Sequence, residues 1–418
     1  MARYHITGGE HLFGELEAPG AKNSALPILA ASLLPYGPSV IENVPRLTDV
    51  GLTIGILKHL GCGVKESGGA VTVEPGGSDQ CGIPREMMLG MRSSILFMGA
   101  LLARRGCAEL TEPGGCSIGA RPVDLHLDAM ERLGARIDER DGVIRCEAPH
   151  GLHGADIRLR FPSVGATENA LIAASTARGA TLIHNAAKEP EVGDLAAYLR
   201  ECGADIVSPT PGVYRINGAA RLHGAAHRVI PDRIAAATYL TAVAAAGGEL
   251  YLRGIVPEHI AAVLEPLRFA GCEAEVFDDS VYMRAGGRLS SLGVVRTEPY
   301  PGFPTDAGAL IAAVAAGASG LSVIVENIFE DRFRHVPELV KMGADISQKG
   351  RLALIRGVGR LHGADLTAMD LRGGAALITA ALAADGESTV SGVRYVERGY
   401  ADIAAQLRSL GARIELEE

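Results

Sequence analysis

The feature that most constrains this chain is a phrase that recurs six times: an amphipathic helix ending in apolar-Gly-small, followed by a short strand. It reads LGCGVKE from Leu60, LGARIDE from Leu133, CGADIVS from Cys202, AGCEAEV from Ala270, MGADISQ from Met342 and LGARIEL from Leu410. The glycines of the phrase, Gly61, Gly134, Gly203, Gly271, Gly343 and Gly411, recur at intervals of 68 to 73 residues. Glycine suits the position just past a helix C-terminus, where the backbone turns left-handed. A fixed period along a chain implies one supersecondary unit repeated.

Upstream of each phrase lies a second, more apolar helix. These helices are predicted to begin near Ser24, Arg92, Thr167, Arg233, Asp306 and Arg372, each followed by a strand such as SVIENVP from Ser39 or LSVIVENI from Leu321. A repeat therefore reads strand, helix, strand, helix, strand, strand. The predicted class is α/β, with sheets outside and apolar helices inside. Aliphatic side chains can fill such cores: 47% of residues are hydrophobic, 4% are aromatic and Trp is absent. A strand-to-strand joint, LHG, recurs at Leu152, Leu222 and Leu361, and LFG at Leu12 is the same joint. YHITGG near the N-terminus thus reads as the last strand of a repeat, and the final repeat, ending ARIELEE, lacks that strand. The expectation is that Arg3–Thr7 pairs with Arg413–Leu416. Two three-repeat domains follow, 21–230, and 1–20 with 231–418.

Charge and motifs exclude several classes. Forty Lys and Arg stand against 49 Asp and Glu, a net charge of −9, which argues against a protein that coats nucleic acid. The opening MARYHITGGEHLFG lacks the basic-then-apolar pattern of a signal peptide, and Ile234–Gly248 is too short and polar for a membrane span. A cytoplasmic protein without membrane association is expected. Seven cysteines without a CxxC pair suggest neither a disulfide framework nor a zinc site. P-loop, GxGxxG and HExxH motifs are absent, so no ATP, NAD or metal cofactor is expected.

Repeats also separate structural residues from misfits. Cys62, Cys202 and Cys272 fill apolar or small slots of the phrase, and Cys107 and Cys146 fall in or beside strands; these read as small buried hydrophobes. Cys81 falls in a loop with no evident partner. Cys116 differs: it lies in EPGGCSIGARPVD, a Gly-rich loop with Arg121 five residues on. Positive charge and oriented N–H groups activate a thiol, so a reactive role and a packed one are both open. The helix starts hold the second misfit. The macrodipole disfavours cations there, yet Lys22, Arg92, Arg233 and Arg372 sit at or next to four of the six starts, with Asp306 the one acid. Helix N-termini favour anions; if the inner helices of each domain point the same way, three positive ends converge, and two domains facing each other would form a cleft suited to an anion with more than one acidic group. SVGATEN from Ser163 offers small residues and backbone N–H groups suited to phosphate. Arg121, Arg332 and Arg398 offer planar forks for carboxylate or phosphate. His126 reads equally as a ligand contact and as a packed residue.

Several long motifs then converge. PGAKNSALPILAASLL from Pro19, EPGGCSIGARPVDLH from Glu112, FPSVGATEN from Phe161, NAAKEPEVGDLA from Asn185, FPTDAGAL from Phe303, ENIFEDRFRHVPEL from Glu326, DLRGGAAL from Asp370 and ERGYADI from Glu397 resemble the UDP-N-acetylglucosamine 1-carboxyvinyltransferase family. The resemblance runs from the first strand to the last. It implies the enolpyruvyl transferase fold, two inside-out α/β barrels of three repeats each. It also implies transfer of enolpyruvyl from phosphoenolpyruvate to the 3-hydroxyl of UDP-N-acetylglucosamine, with phosphate released, at the first committed step of peptidoglycan precursor synthesis.

The same resemblance implies residue roles. Cys116 is expected to protonate carbon 3, to form an adduct with phosphoenolpyruvate and to be alkylated by fosfomycin. Asp306 is expected to take the sugar hydroxyl proton. Lys22, Arg121 and Arg398 would grip phosphoenolpyruvate, and Asn23 would position the intermediate. Arg92 would lie near the sugar nucleotide, while Arg121, Pro122, Val123, Asp124 and Leu125 would line the uridine site. Ser163, Val164 and Gly165 would cradle the diphosphate, and Ile328 would contact the nucleotide. Arg332, Asp370 and Arg372 would complete the opposing wall. Some relatives carry Lys where this chain has Phe161, so no side-chain cation on the diphosphate is implied at that position. The alternatives are a shikimate-phosphate enolpyruvyl transferase, which lacks the Cys-bearing loop and SVGATEN, and a non-catalytic paralogue that binds the sugar nucleotide as a sensor.

Overall fold

The structure is a computed structural model and describes residues 2–114, 119 and 122–417. These divide into two compact units, one of 20–114 with 122–230 and one of 2–19 with 231–417. All six repeat glycines have positive φ, from 85° at Gly61 to 113° at Gly271, a conformation that a Cβ would strain.

Each unit carries three small sheets. In the first unit the order Ala226–Arg228, Ser39–Glu42, Ala70–Glu74, Gly63–Ser67 has one parallel pair at its edge and two antiparallel pairs. The sheets centred on Ala180–His184, Gly248–Arg253 and Leu321–Val325 repeat this pattern. In the sheet Asp365–Thr367, Glu387–Ser391, Arg3–Thr7, Arg413–Glu417, the third place is filled from the other end of the chain. Arg3–Thr7 lies antiparallel to Arg413–Glu417, with Tyr4 opposite Leu416 and Ile6 opposite Ile414. This is the pairing that the phase of the repeats predicts.

One sheet departs from the pattern. Cys107–Thr111, Val143–Glu147 and Arg136–Arg140 form three strands, and the parallel edge shrinks to one bridge, Gly82 to Glu109. The Glu109 N–H donates to the Cys81 carbonyl at 2.8 Å. That vestigial edge brings Cys81 beside Cys107, with Cα atoms 5.6 Å apart and the sulfurs joined. The sequence reading of Cys81 as unpartnered and of Cys107 as a packed apolar group is therefore corrected. An edge this short leaves no periodic trace. Cys62, Cys146, Cys202 and Cys272 are free and buried, as their slots predict. Burial pushes their thiols up, to about 12 for Cys146 and Cys272 and to about 11 for Cys202.

The cores lie around six inner helices: Lys22–Ala31, Phe97–Arg105 and Val164–Ala174 in the first unit, Arg233–Ala246, Thr305–Gly317 and Leu371–Ala383 in the second. Nearly every residue of the last two is buried, as expected of helices enclosed on all sides. In the second unit each inner helix packs on the other two. Alanine and glycine at these faces let the axes approach closely. Outer helices such as Pro190–Glu201 bury one face only.

Candidate active site

The inner-helix N-termini hold several of the predicted residues, Lys22, Ser163, Asp306 and Arg372 among them, and the two units are taken in turn. In the first, Lys22 opens its helix behind Ala21, which provides no side-chain cap. The Lys22 ammonium is buried and donates to Asp49 Oδ2 at 3.1 Å; Asp49 is buried as well. Asp49 answers why a cation can stand at this start: its carboxylate offsets the positive helix end. Asn23 follows, half-buried. Arg92 opens the short helix Arg92–Leu96, and its guanidinium donates to the Pro122 carbonyl at 3.2 Å. Val123 is buried, Leu125 half-buried, and Asp124 is the first residue of the Asp124–Arg132 helix. The Asp124 Oδ1 accepts the Leu125 N–H at 2.9 Å, and its Oδ2 pairs with Arg160, a cation that sequence reasoning passed over. Arg160 directly precedes Phe161, which is exposed.

Ser163 caps the Val164–Ala174 helix, accepting the Ala166 N–H, so Val164 and Gly165 lie in a first turn whose N–H groups have no intrahelical acceptor. A Cβ at Gly165 would stand 3.1 Å from His126 Cε1. His126 is buried and shares a 3.0 Å hydrogen bond with Asn169, whose amide also donates to the Ile95 carbonyl at 3.0 Å. These contacts show a packing role for His126. Glu168, one turn into the helix, is fully buried. Burial, and next the charges of Glu191 and Glu189, push its carboxyl well above the usual carboxylate range. Cys116 and Arg121 lie outside the described residues.

In the second unit Asp306, Arg332 and Arg372 come together. Asp306 is the second residue of the Thr305–Gly317 helix, half-buried. Arg332 pairs with its Oδ1 and Arg372 lies 3.7 Å from its Oδ2. Both guanidiniums are buried. Burial disfavours the Arg372 charge, but Tyr400, Asp306 and Asp232 outweigh it and the guanidinium stays protonated. Asp370 caps the Leu371–Ala383 helix, accepting the Arg372 and Gly373 N–H groups at 3.0 and 2.9 Å, and so orients Arg372 from behind. Glu326, also unforeseen, is 1% exposed and ties two segments together. Its Oε2 accepts from Thr305 at 2.8 Å, beside Asp306, and its Oε1 takes the Ile328 and Phe329 N–H groups at 2.7 and 3.0 Å. Arg398 is half-buried, just past the Val393–Val396 turn and two residues before Tyr400.

Chemically, the second unit presents a carboxylate between two buried guanidiniums at a helix start, a group able to accept a proton. The first presents a buried ammonium and a helix start where the Val164 and Gly165 N–H groups have no intrahelical acceptor, both suited to phosphate oxygens. Among the described residues, no group of three or more His, Cys, Asp or Glu could hold a metal, and no helix is long and apolar enough to cross a membrane.

Comparison with known proteins bears on the fold and the family. Solved structures of the same fold include the enolpyruvyl transferase NikO from Streptomyces tendae, 27% identical over 99% of this chain and 98% of that one, with a TM-score of 0.89. EPSP synthase from Acinetobacter baumannii, 19% identical over the full length of both chains with a TM-score of 0.77, shares the fold. Residues 6–407 match the EPSP synthase (3-phosphoshikimate 1-carboxyvinyltransferase) family, which makes this chain an enolpyruvyl transferase by class. Proteins named UDP-N-acetylglucosamine 1-carboxyvinyltransferase are nearer in sequence. Those of Caldanaerobacter subterraneus subsp. tengcongensis and Maricaulis maris are each 46% identical, over 99% of this chain and 99% of theirs. The chain belongs to the UDP-N-acetylglucosamine 1-carboxyvinyltransferase family.

Proposed function

We propose that this protein transfers the enolpyruvyl group of phosphoenolpyruvate to the 3-hydroxyl of UDP-N-acetylglucosamine, releasing phosphate. It does so in the cytoplasm, at the first committed step of peptidoglycan precursor synthesis. The observation that carries the reading is the Asp306 carboxylate at a helix start between Arg332 and Arg372, in a chain so close to relatives named for this activity.

The reaction is addition followed by elimination. Asp306 takes the proton of the sugar hydroxyl as its oxygen bonds to carbon 2 of phosphoenolpyruvate, while Cys116 delivers a proton to carbon 3. The tetrahedral ketal then loses a proton from carbon 3 and expels phosphate, restoring the double bond. Lys22, Arg121 and Arg398 hold the phosphate and carboxylate of phosphoenolpyruvate, and Asn23 steadies the ketal. Ser163, Val164 and Gly165 receive the diphosphate of the sugar nucleotide, with Arg92, Pro122 to Leu125 and Ile328 about its nucleoside. Asp370 and Arg372 brace Asp306 from behind. No resident cofactor or metal enters this scheme.

Phosphate release measured with both substrates, with and without fosfomycin, tests the reading. Turnover that requires both and is abolished by fosfomycin is expected. Turnover with shikimate 3-phosphate in place of the sugar nucleotide would overturn the substrate assignment. Tight sugar-nucleotide binding with no phosphate release would overturn the enzymatic one.

A further inference from the structure

The side chain of Tyr400 is not used by the scheme above, yet it is built into the support of Asp306. It is 4% exposed, and its hydroxyl has two partners of different kinds. Arg372 Nη1 donates to it at 3.1 Å. Thr238 Oγ1, on the Arg233–Ala246 helix, lies 2.7 Å from it. Thr238 Oγ1 also lies 2.8 Å from the Ile234 carbonyl, which can only accept. The single proton of Thr238 therefore goes to that carbonyl, and the Tyr400 proton must go to Thr238. Burial pushes the Tyr400 phenol up and keeps it neutral. The hydrogen-bond chain thus has one polarity: Arg372 to Tyr400 to Thr238 to the Ile234 carbonyl. Its far end is main chain of an inner helix.

The consequence falls on Asp306. With Nη1 anchored to Tyr400, the other amine of Arg372 stops 3.7 Å from Asp306 Oδ2, whereas Arg332 meets Oδ1 directly. A carboxylate closed upon by two guanidiniums is a weaker base than one closed upon by a single guanidinium, because each cation favours the ionised form. We propose that Tyr400 is a positioning residue: its hydroxyl, oriented by Thr238, sets how closely Arg372 approaches Asp306 and thereby the basicity of that carboxylate. This rests on the reading of Asp306 as the base.

Steady-state kinetics of the full-length enzyme with Tyr400→Phe, Thr238→Val and the double variant test it, with Asp306→Asn as the control. In Tyr400→Phe, Arg372 loses its acceptor and closes on Asp306. The expected result is a kcat lower by about tenfold with the KM for UDP-N-acetylglucosamine within about twofold of the parent, a split that loosened packing would not produce. Thr238→Val should lower kcat in the same direction, and adding it to Tyr400→Phe should change kcat by less than about twofold, since the chain is already cut. A Tyr400→Phe kcat within about twofold of the parent, or independent effects that multiply in the double variant, would overturn the role of Tyr400. Should Tyr400→Phe not fold, an unchanged kcat in Thr238→Val overturns it equally. Full turnover in Asp306→Asn would instead overturn the base assignment beneath it, and the control keeps the two failures apart.

Discussion

A cation placed at a helix start works against the macrodipole and persists only where a neighbour compensates it. The four such residues here have partners: Lys22 has Asp49, Arg92 donates to the Pro122 carbonyl, Arg372 has Tyr400 and Asp306, and Arg233 lies 5.7 Å from the centre of the Tyr300 ring. Those partners hold charge in place without consuming it, which is what binding an anion requires. Thiols show the opposite economy. Burial raises Cys62, Cys146, Cys202 and Cys272, so none offers appreciable thiolate near neutrality, and Cys81 and Cys107 are joined to each other. Fosfomycin should therefore label Cys116 alone. Peptide mass spectrometry after treatment checks this, and an adduct at any other cysteine contradicts it. Cys116→Asp is expected to keep substantial turnover, because a carboxylic acid can still donate a proton, while losing sensitivity to the drug.

At the scale of elements, the inner helices carry the design. Where Phe97–Arg105 meets Val164–Ala174, the Gly99 N–H donates to Asn169 Oδ1 at 2.7 Å. A Cβ at Gly99 would stand 2.6 Å from the Asn169 carbonyl oxygen, which is main chain and cannot swing aside. Gly99→Ala is thus expected to force the two axes apart and to destabilise the first unit by about 1–3 kcal/mol, the usual cost of overpacking. Urea denaturation measures it. A variant as stable as the parent would mean that the crossing has slack. The displacement would also carry Ser163 and Gly165, so weaker binding of the sugar nucleotide should accompany the loss.

Across the whole molecule, two buried histidines give the units opposite responses to pH. His227, in the first unit, meets Asp194 at 3.0 Å and Glu201 at 2.8 Å. Burial opposes its charge, but the hydrogen bond and charge of Asp194, then those of Glu201, raise its pKa above 6.5 overall. Its contribution to stability is complete below 6.5 and is lost as pH rises through the raised folded value. His335, in the second unit, is 2% exposed against Arg332 and Asp370, and burial lowers it to about 4. Its neutral form is compatible with folding above 6.5, and stability is lost as pH falls from there toward about 4. Thermal midpoints measured from about pH 4 to well above 6.5 should show both slopes, the His335 one below 6.5 and the His227 one above it. His227→Gln is expected to flatten the alkaline one and His335→Asn the acid one; slopes unchanged in both variants would refute the assignments.

The periodic part of this protein was legible without coordinates. Six glycines that require positive φ, the apolar helices between them and a first strand in the wrong phase were enough to read the α/β repeat and to pair Arg3–Thr7 with the C-terminal strand. Helix starts bearing cations marked where anions would be met. Such signals are local, because a turn, a helix face and a strand each impose a pattern on neighbouring residues. Asp49, Arg160, Glu326 and Tyr400 left no such trace. Tyr400 meets Thr238 across 162 residues of sequence and Lys22 meets Asp49 across 27. Which buried charge faces which is decided only when helices pack and desolvate the groups between them, and no spacing along the chain encodes that distance.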